Sequence, residues 1–159
     1  IEIGDYVLIS PGTRISAADE IVIGSNVMMA HGVYITDSDW HGIYDRVNRP
    51  DSCTPVHIGD NVWLGDRSTV LKGVTIGDNS IVAANSVVCK DVPANVVVAG
   101  NPAKVVKQLD SGQGFNRRAD YYADPQSLAR YFDGVDRAVL QKNSFLNWLR
   151  LQVWPTRRD

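Results

Sequence analysis

The chain has 159 residues, a formal net charge of −2, and 44% apolar and 21% charged residues. Such a composition excludes a disordered chain and suffices for one domain with a sizeable core. The near-neutral charge gives no electrostatic reason to expect a nucleic-acid partner. Two cysteines, Cys53 and Cys89, make no disulfide framework, so a reducing, cytoplasmic setting is expected. No apolar run approaches the ~20 residues of a spanning helix, and no secretory leader is read. The chain opens on Ile1 rather than Met, so this says nothing of residues that precede it.

Valine and isoleucine favour strands; of 32 in the chain, 27 lie at or before residue 98. The first hundred residues are therefore expected to be all-β. Within them an aliphatic residue recurs every six positions: Ile3, Ile9, Ile15, then Ile23, Met29, Ile35, then Ile58, Leu64, Val70, Ile76, Val82, Val88. Val98 follows after a four-residue offset, and the residue after each aliphatic is small nearly every time, Leu71 being the bulky exception. A period of six is wrong for a helix face and too regular for hairpins. It predicts a β-solenoid in which each hexad supplies one short strand and one corner, with the aliphatic inside. Three hexads make a triangular coil, so residues 18 apart stack.

The period is broken in three places: a slip at 17–20, a long excursion at about 37–55, and the offset at 92–97, where Pro93 suits a turn. Breaks in a monotonous solenoid are where function is grafted. The excursion is polar and proline-containing yet carries Trp40, His41 and Tyr44. With it removed, Leu8, Met28, Trp63 and Ile81 fall on one outer face. Such an apolar stripe is expected to be covered by a neighbouring subunit, the C-terminal segment or a ligand.

Residues 108–123 read as a linker, and 124–159 as a helical extension. Asp124-Pro125 is a helix start, followed by Leu128, Tyr131, Phe132, Val135 and Val139 at helical spacing. A second helix is expected from Ser144, with Phe145, Trp148, Leu149 and 151–154 on its apolar side. Together with the basic end at Arg157-Arg158, this suits a membrane surface or a partner. Packing against the solenoid or around an assembly is the favoured expectation.

The segments Ile58-Gly-Asp-Asn-Val-Trp-Leu-Gly65, Val74-Thr-Ile-Gly-Asp-Asn79, Lys90-Asp-Val-Pro93 and Ala99-Gly-Asn-Pro-Ala-Lys104 resemble the hexapeptide-repeat acyltransferases. Within them the likeness is to the maltose/galactoside O-acetyltransferases and xenobiotic acetyltransferases, over about residues 1–107. The resemblance implies a left-handed parallel β-helix, here with a C-terminal α-helical extension, and a homotrimer. It also implies acetyl-CoA lying between subunits with its thioester beside a loop histidine, and a sugar or sugar-like hydroxyl as acceptor.

His41 matches that histidine by position, Gly42 standing where the family usually has proline, and His31 is the reserve. An imidazole, with an ordinary pKa of about 6.5, suits the removal of a hydroxyl proton at neutral pH. Carried over residue by residue, the family's cofactor contacts fall on Trp63, Asp66, Ala84, Cys89, Lys90, Lys104 and Lys107. The two lysines supply positive charge for phosphates, and Asp66 and Ala84, 18 apart, should stack. Cys89 reads as a packing residue rather than a nucleophile. Ser10, Asp19 and Glu20 match the acceptor region. Asp37 and Asp39 flank the base, where a carboxylate binds sugar hydroxyls or Asp39 orients His41. His57 reads as a solvated or interface residue.

Two other classes stand beside this reading. A zinc enzyme of the carbonic anhydrase type needs two histidines five residues apart, whereas His31, His41 and His57 are separated by 10 and 16, so no metal is expected. A non-catalytic scaffold or sugar-binding module needs neither a loop histidine nor the lysines after Pro102. An amine acceptor stays open.

Overall fold

A computed structural model describes residues 1–48, 53–110, 112–141 and 143–154. Contacts divide the chain into two units, Ile1–Ala119 and Asp120–Asp159.

The first unit is a three-faced solenoid. One face stacks β1 (Glu2–Ile3), β4 (Ile21–Ile23), β7 (Val56–Ile58) and β10 (Thr75–Ile76). The second stacks β2 (Leu8–Ile9), β5 (Met28–Met29), β8 (Trp63–Leu64), β11 (Ile81–Val82) and β13 (Val96–Ala99). The third stacks β3 (Arg14–Ser16), β6 (Tyr34–Thr36), β9 (Thr69–Val70) and β12 (Val87–Val88). All these neighbours pair in parallel.

Strands this short cannot bury a face alone; stacking does it for them. Met29, Leu64, Val82 and Val98 form one inward column, each at most 2% exposed. Each fully buried side chain of this kind contributes about 1.5–3 kcal/mol of transfer free energy. In the first coil the inward positions Ile3 and Ile9 are each 46% exposed, being covered on one side only.

The corners explain the Gly-Asp-Asn sequence. Asn26, Asn61, Asn79 and Asn95 occupy the left-handed region, with φ of 56–62°, a conformation asparagine tolerates better than most residues. Their side chains run up the corner: Asn61 Nδ2 donates to Asn79 Oδ1 (3.0 Å) and Asn79 Nδ2 to Asn95 Oδ1 (3.1 Å). The preceding aspartates accept backbone amides, Asp60 from Ser25 (2.7 Å) and Asp78 from Asp60 (2.8 Å).

The solenoid ends in a reversal. β14 (Lys104–Gln108) pairs antiparallel with β13, with a register shift between Val97 and Val98. The stretch read as a linker therefore begins on a strand, and further on it holds a short helix, α1 (Arg118–Tyr121). The amide of Ala119 donates to Asn26 Oδ1 (2.8 Å).

The second unit carries α2 (Pro125–Leu140) and α3 (Phe145–Val153). Asp124 caps α2 by accepting from the amides of Gln126 and Ser127, and Ser144 caps α3 by accepting from Asn147. Both starts stand where the sequence places them. The basic end at Arg157-Arg158 lies outside the described residues. No helix among the described residues is long and apolar enough to cross a membrane.

Candidate active site

The long excursion leaves the solenoid after β6 and re-enters at β7. Its two ends meet at one corner, where the Asp37 carbonyl accepts from the Thr54 amide (2.9 Å) and the Thr54 carbonyl from the Gly73 amide (3.0 Å). The Asp37 side chain is fully buried. One carboxylate oxygen accepts from the Ala18 amide and the other from the Asp19 amide, both at 2.7 Å. Charge-assisted bonds of this kind are short and strong. They also account for the two-residue slip at 17–20, which presents those amides. An acceptor contact was expected of Asp37; its burial and both bonds commit it instead to holding the loop's root.

The next residues are held just as closely. The Thr36 hydroxyl donates to the Ser38 carbonyl (3.0 Å) and accepts from the Trp40 indole N–H (3.1 Å), while the Trp40 amide donates to Ser38 Oγ (3.1 Å). Trp40 has φ of 65°, so the chain bends immediately before His41, whose side chain is exposed. Asp39, expected to bind the acceptor or to orient His41, pairs with Lys72 Nζ at 2.5 Å. Beyond His41, Ile43, Tyr44 and Val47 are 82–100% exposed. Asp45 closes a turn there, accepting from the Asn48 side chain and from the amides of Asn48 and Val47. Those bonds hold its carboxyl below the usual carboxylate range.

The strand register stacks Ala17, Asp37, Lys72 and Lys90 at this corner. Cys89 and Lys90 are both exposed here. Cys89 was expected to pack, but at the corner just past β12 it is exposed within this chain. Asp19 and Glu20 share the corner, with Glu20 Oε1 3.4 Å from His57 Nε2 on the outer side of β7.

A second corner carries His31, Asp66 and Ala84, stacked as their spacing predicts. Asp66 Oδ1 accepts from the His31 amide (3.1 Å), and the Asp66 carbonyl from the Asn85 amide (2.8 Å). Ser10 lies at the same corner, its amide bonded to the Met29 carbonyl (3.0 Å). His31 and His41 thus occupy different edges of the solenoid.

The second face, which ends at this corner, carries the outer column Leu8, Met28, Trp63 and Ile81 in register, with Trp63 46% exposed. Lys104 and Lys107 stand at its end on β14, opposite Ala99 and Val97. A cleft of about 300 Å³ opens beside Lys107, lined also by Gln108, Leu109, Asp110 and Phe115.

One chain therefore gathers the loop histidine, Lys72, Cys89 and Lys90 on one edge. Asp66 and Ala84 lie on another, and Trp63 with the two lysines on a face. The sequence reading missed Lys72; the signal available was its 18-residue spacing from Lys90, at the coil directly below the excursion. Among the described residues no group of three or more His, Cys, Asp or Glu side chains is arranged to hold a metal ion.

Comparison with known proteins agrees with this architecture. The family described as bacterial transferase hexapeptide (six repeats) matches residues 55–90. The galactoside O-acetyltransferase of Escherichia coli strain K12 is 40% identical over 92 residues, 57% of this chain and 45% of that protein. The crystal structure of a maltose O-acetyltransferase from Clostridium difficile 630 is 34% identical, with a TM-score of 0.54, covering 69% of this chain and 68% of that one. A galactoside acetyltransferase in complex with coenzyme A is 29% identical, with a TM-score of 0.59, over 77% of this chain and 69% of that one. The chain spans about half the length of the curated relatives it matches. It belongs to the hexapeptide-repeat acetyltransferase family, and its three-faced solenoid is that family's left-handed parallel β-helix.

Proposed function

We propose that the chain transfers an acetyl group from acetyl-CoA to a hydroxyl of a sugar or sugar-like acceptor, as a cytoplasmic homotrimer with His41 as general base. The observation that carries this reading is the rooted excursion. Its base is pinned by a buried carboxylate, and it presents an exposed imidazole beside the corner that bears Cys89 and Lys90.

In this reading His41 takes the acceptor hydroxyl proton as the oxygen attacks the thioester carbonyl. The tetrahedral intermediate collapses, its C–S bond breaks, and the leaving sulfur recovers the proton from the imidazolium. No bond to the enzyme forms. Lys104 and Lys107 supply charge for the phosphates, and Cys89 and Lys90 flank the pantetheine. Trp63, with backbone groups of Asp66 and Ala84, lines the remaining wall. Ser10, Asp19 and Glu20 are the acceptor-side candidates.

The division of these residues among separate edges of one chain supports the trimer. In a threefold assembly the outer face of one copy and the corner of the next close a single groove. The apolar column around Trp63 gives such an interface its centre.

The test is release of free CoA in the presence of galactosides and maltose, comparing wild type with His41→Ala. A general base contributes about 10²–10⁴-fold, so the variant should lose activity on that order while still binding acetyl-CoA. Full activity in His41→Ala contradicts the assignment.

A further inference from the structure

The reaction proposed above needs His41 held in one place, yet its side chain is exposed on the excursion. The return of the excursion is tied at Thr54, and the described bonds next to His41 lie on its N-terminal side. The root at Asp37 fixes the chain four residues before His41. Thr36 and Ser38 fix the Trp40 indole and amide. Two residues before the base, Asp39 forms an ion pair with Lys72. Between that pair and His41 stands Trp40, whose left-handed backbone bends the chain.

Lys72 is suited to the task because its own backbone is fixed. It lies between β9 and β10 at a corner of the solenoid, and Gly73 beside it bonds to Thr54 at the loop's return. Its side chain is 27% exposed and that of Asp39 60%, so the pair is partly open to solvent and acts by fixing position rather than by its strength.

We infer that Lys72 is a positioning residue, a latch on the solenoid wall that holds Asp39 and thereby sets where His41 stands. This rests on His41 acting as the base. Lys72 itself touches neither acceptor nor thioester in this scheme. Its loss should therefore affect turnover rather than affinity for acetyl-CoA, since misplacing a reacting group by about 1 Å costs up to about 100-fold.

The experiment compares Lys72→Met, Lys72→Arg, Asp39→Asn and the double variant Asp39→Asn/Lys72→Met with wild type. Expected is a kcat about 10- to 100-fold lower in Lys72→Met, with KM for acetyl-CoA unchanged and substantial rescue by Lys72→Arg. Asp39→Asn should match Lys72→Met, and the double variant should be no worse than either, as residues acting through one contact are not additive.

A second readout needs no turnover: the imidazole proton NMR signal of His41, identified by its loss in His41→Ala. It should shift or broaden in Lys72→Met and return in Lys72→Arg. If His41→Ala stays active, the base assignment falls while this signal still tests the latch. An unchanged signal and unchanged kcat in Lys72→Met overturn the latch alone. A rise confined to KM for acetyl-CoA overturns it too, by making Lys72 a cofactor contact.

Discussion

At the scale of single residues, the site is built from groups whose partners are far away in sequence. Gly73 shows how tight the fit is. Its φ is +72°, and a Cβ added there would stand 3.0 Å from Thr54 Cγ2, at the point where the excursion returns. The backbone region is one that side chains rarely adopt and Thr54 would have to give way by a few tenths of an ångström; a non-glycine residue forced into a sparsely populated region costs about 1–3 kcal/mol. Gly73→Val should therefore lower the urea midpoint with an unchanged slope. Gly114→Ala, where an added Cβ meets nothing within 4 Å, should leave it unmoved. Equal midpoints for the two variants contradict the close approach. Asp37 belongs to the same scale: a carboxylate next to a catalytic candidate reads as a ligand for substrate until its burial and its two amide bonds show otherwise.

At the scale of elements, local signals decided most boundaries. The caps Asp124 and Ser144 stand at the starts of α2 and α3 because each satisfies amides the helix leaves open. The Ser127 hydroxyl donates to Asp124 at 2.6 Å, and this bond, with the amides of Ser127 and Gln126, holds the carboxyl below the ordinary range. A carboxylate with a lowered folded pKa contributes stability above its unfolded pKa and loses it as pH falls through the lowered value. Helicity by circular dichroism should accordingly be lower in Asp124→Ala than in wild type at pH 7, and the difference should vanish in strong acid. Equal helicity at pH 7 contradicts the cap. The end of the solenoid was less legible. β14 carries no hexad signature, since its antiparallel place depends on a reversal after Gly100 tied by bonds from Val87 to Gly100 and from Ala103 to Val87, contacts that no local period encodes.

At the scale of the whole molecule, the architecture could be read because a six-residue period is a constraint repeated at every coil. The column Leu8, Met28, Trp63, Ile81 stands in register as its spacing requires. The candidate site was legible in outline only. The broken repeat marks the excursion and the family resemblance points to His41 on it, but the Asp39–Lys72 pair joins residues 33 apart through side chains alone, and nothing periodic announces it. The expected cofactor residues fall on separate edges of one chain, so what unites them lies in the proposed association of copies rather than in any one sequence.

The measurement that bears most directly on the central claim is calorimetric titration of acetyl-CoA into the purified protein, with free CoA beside it, for wild type and for Lys104→Ala/Lys107→Ala. Binding near one site per chain, weakened in the double variant through lost phosphate contacts, is the predicted result. Absence of binding to a folded, assembled wild-type protein contradicts the acetyltransferase account and leaves the solenoid as a scaffold.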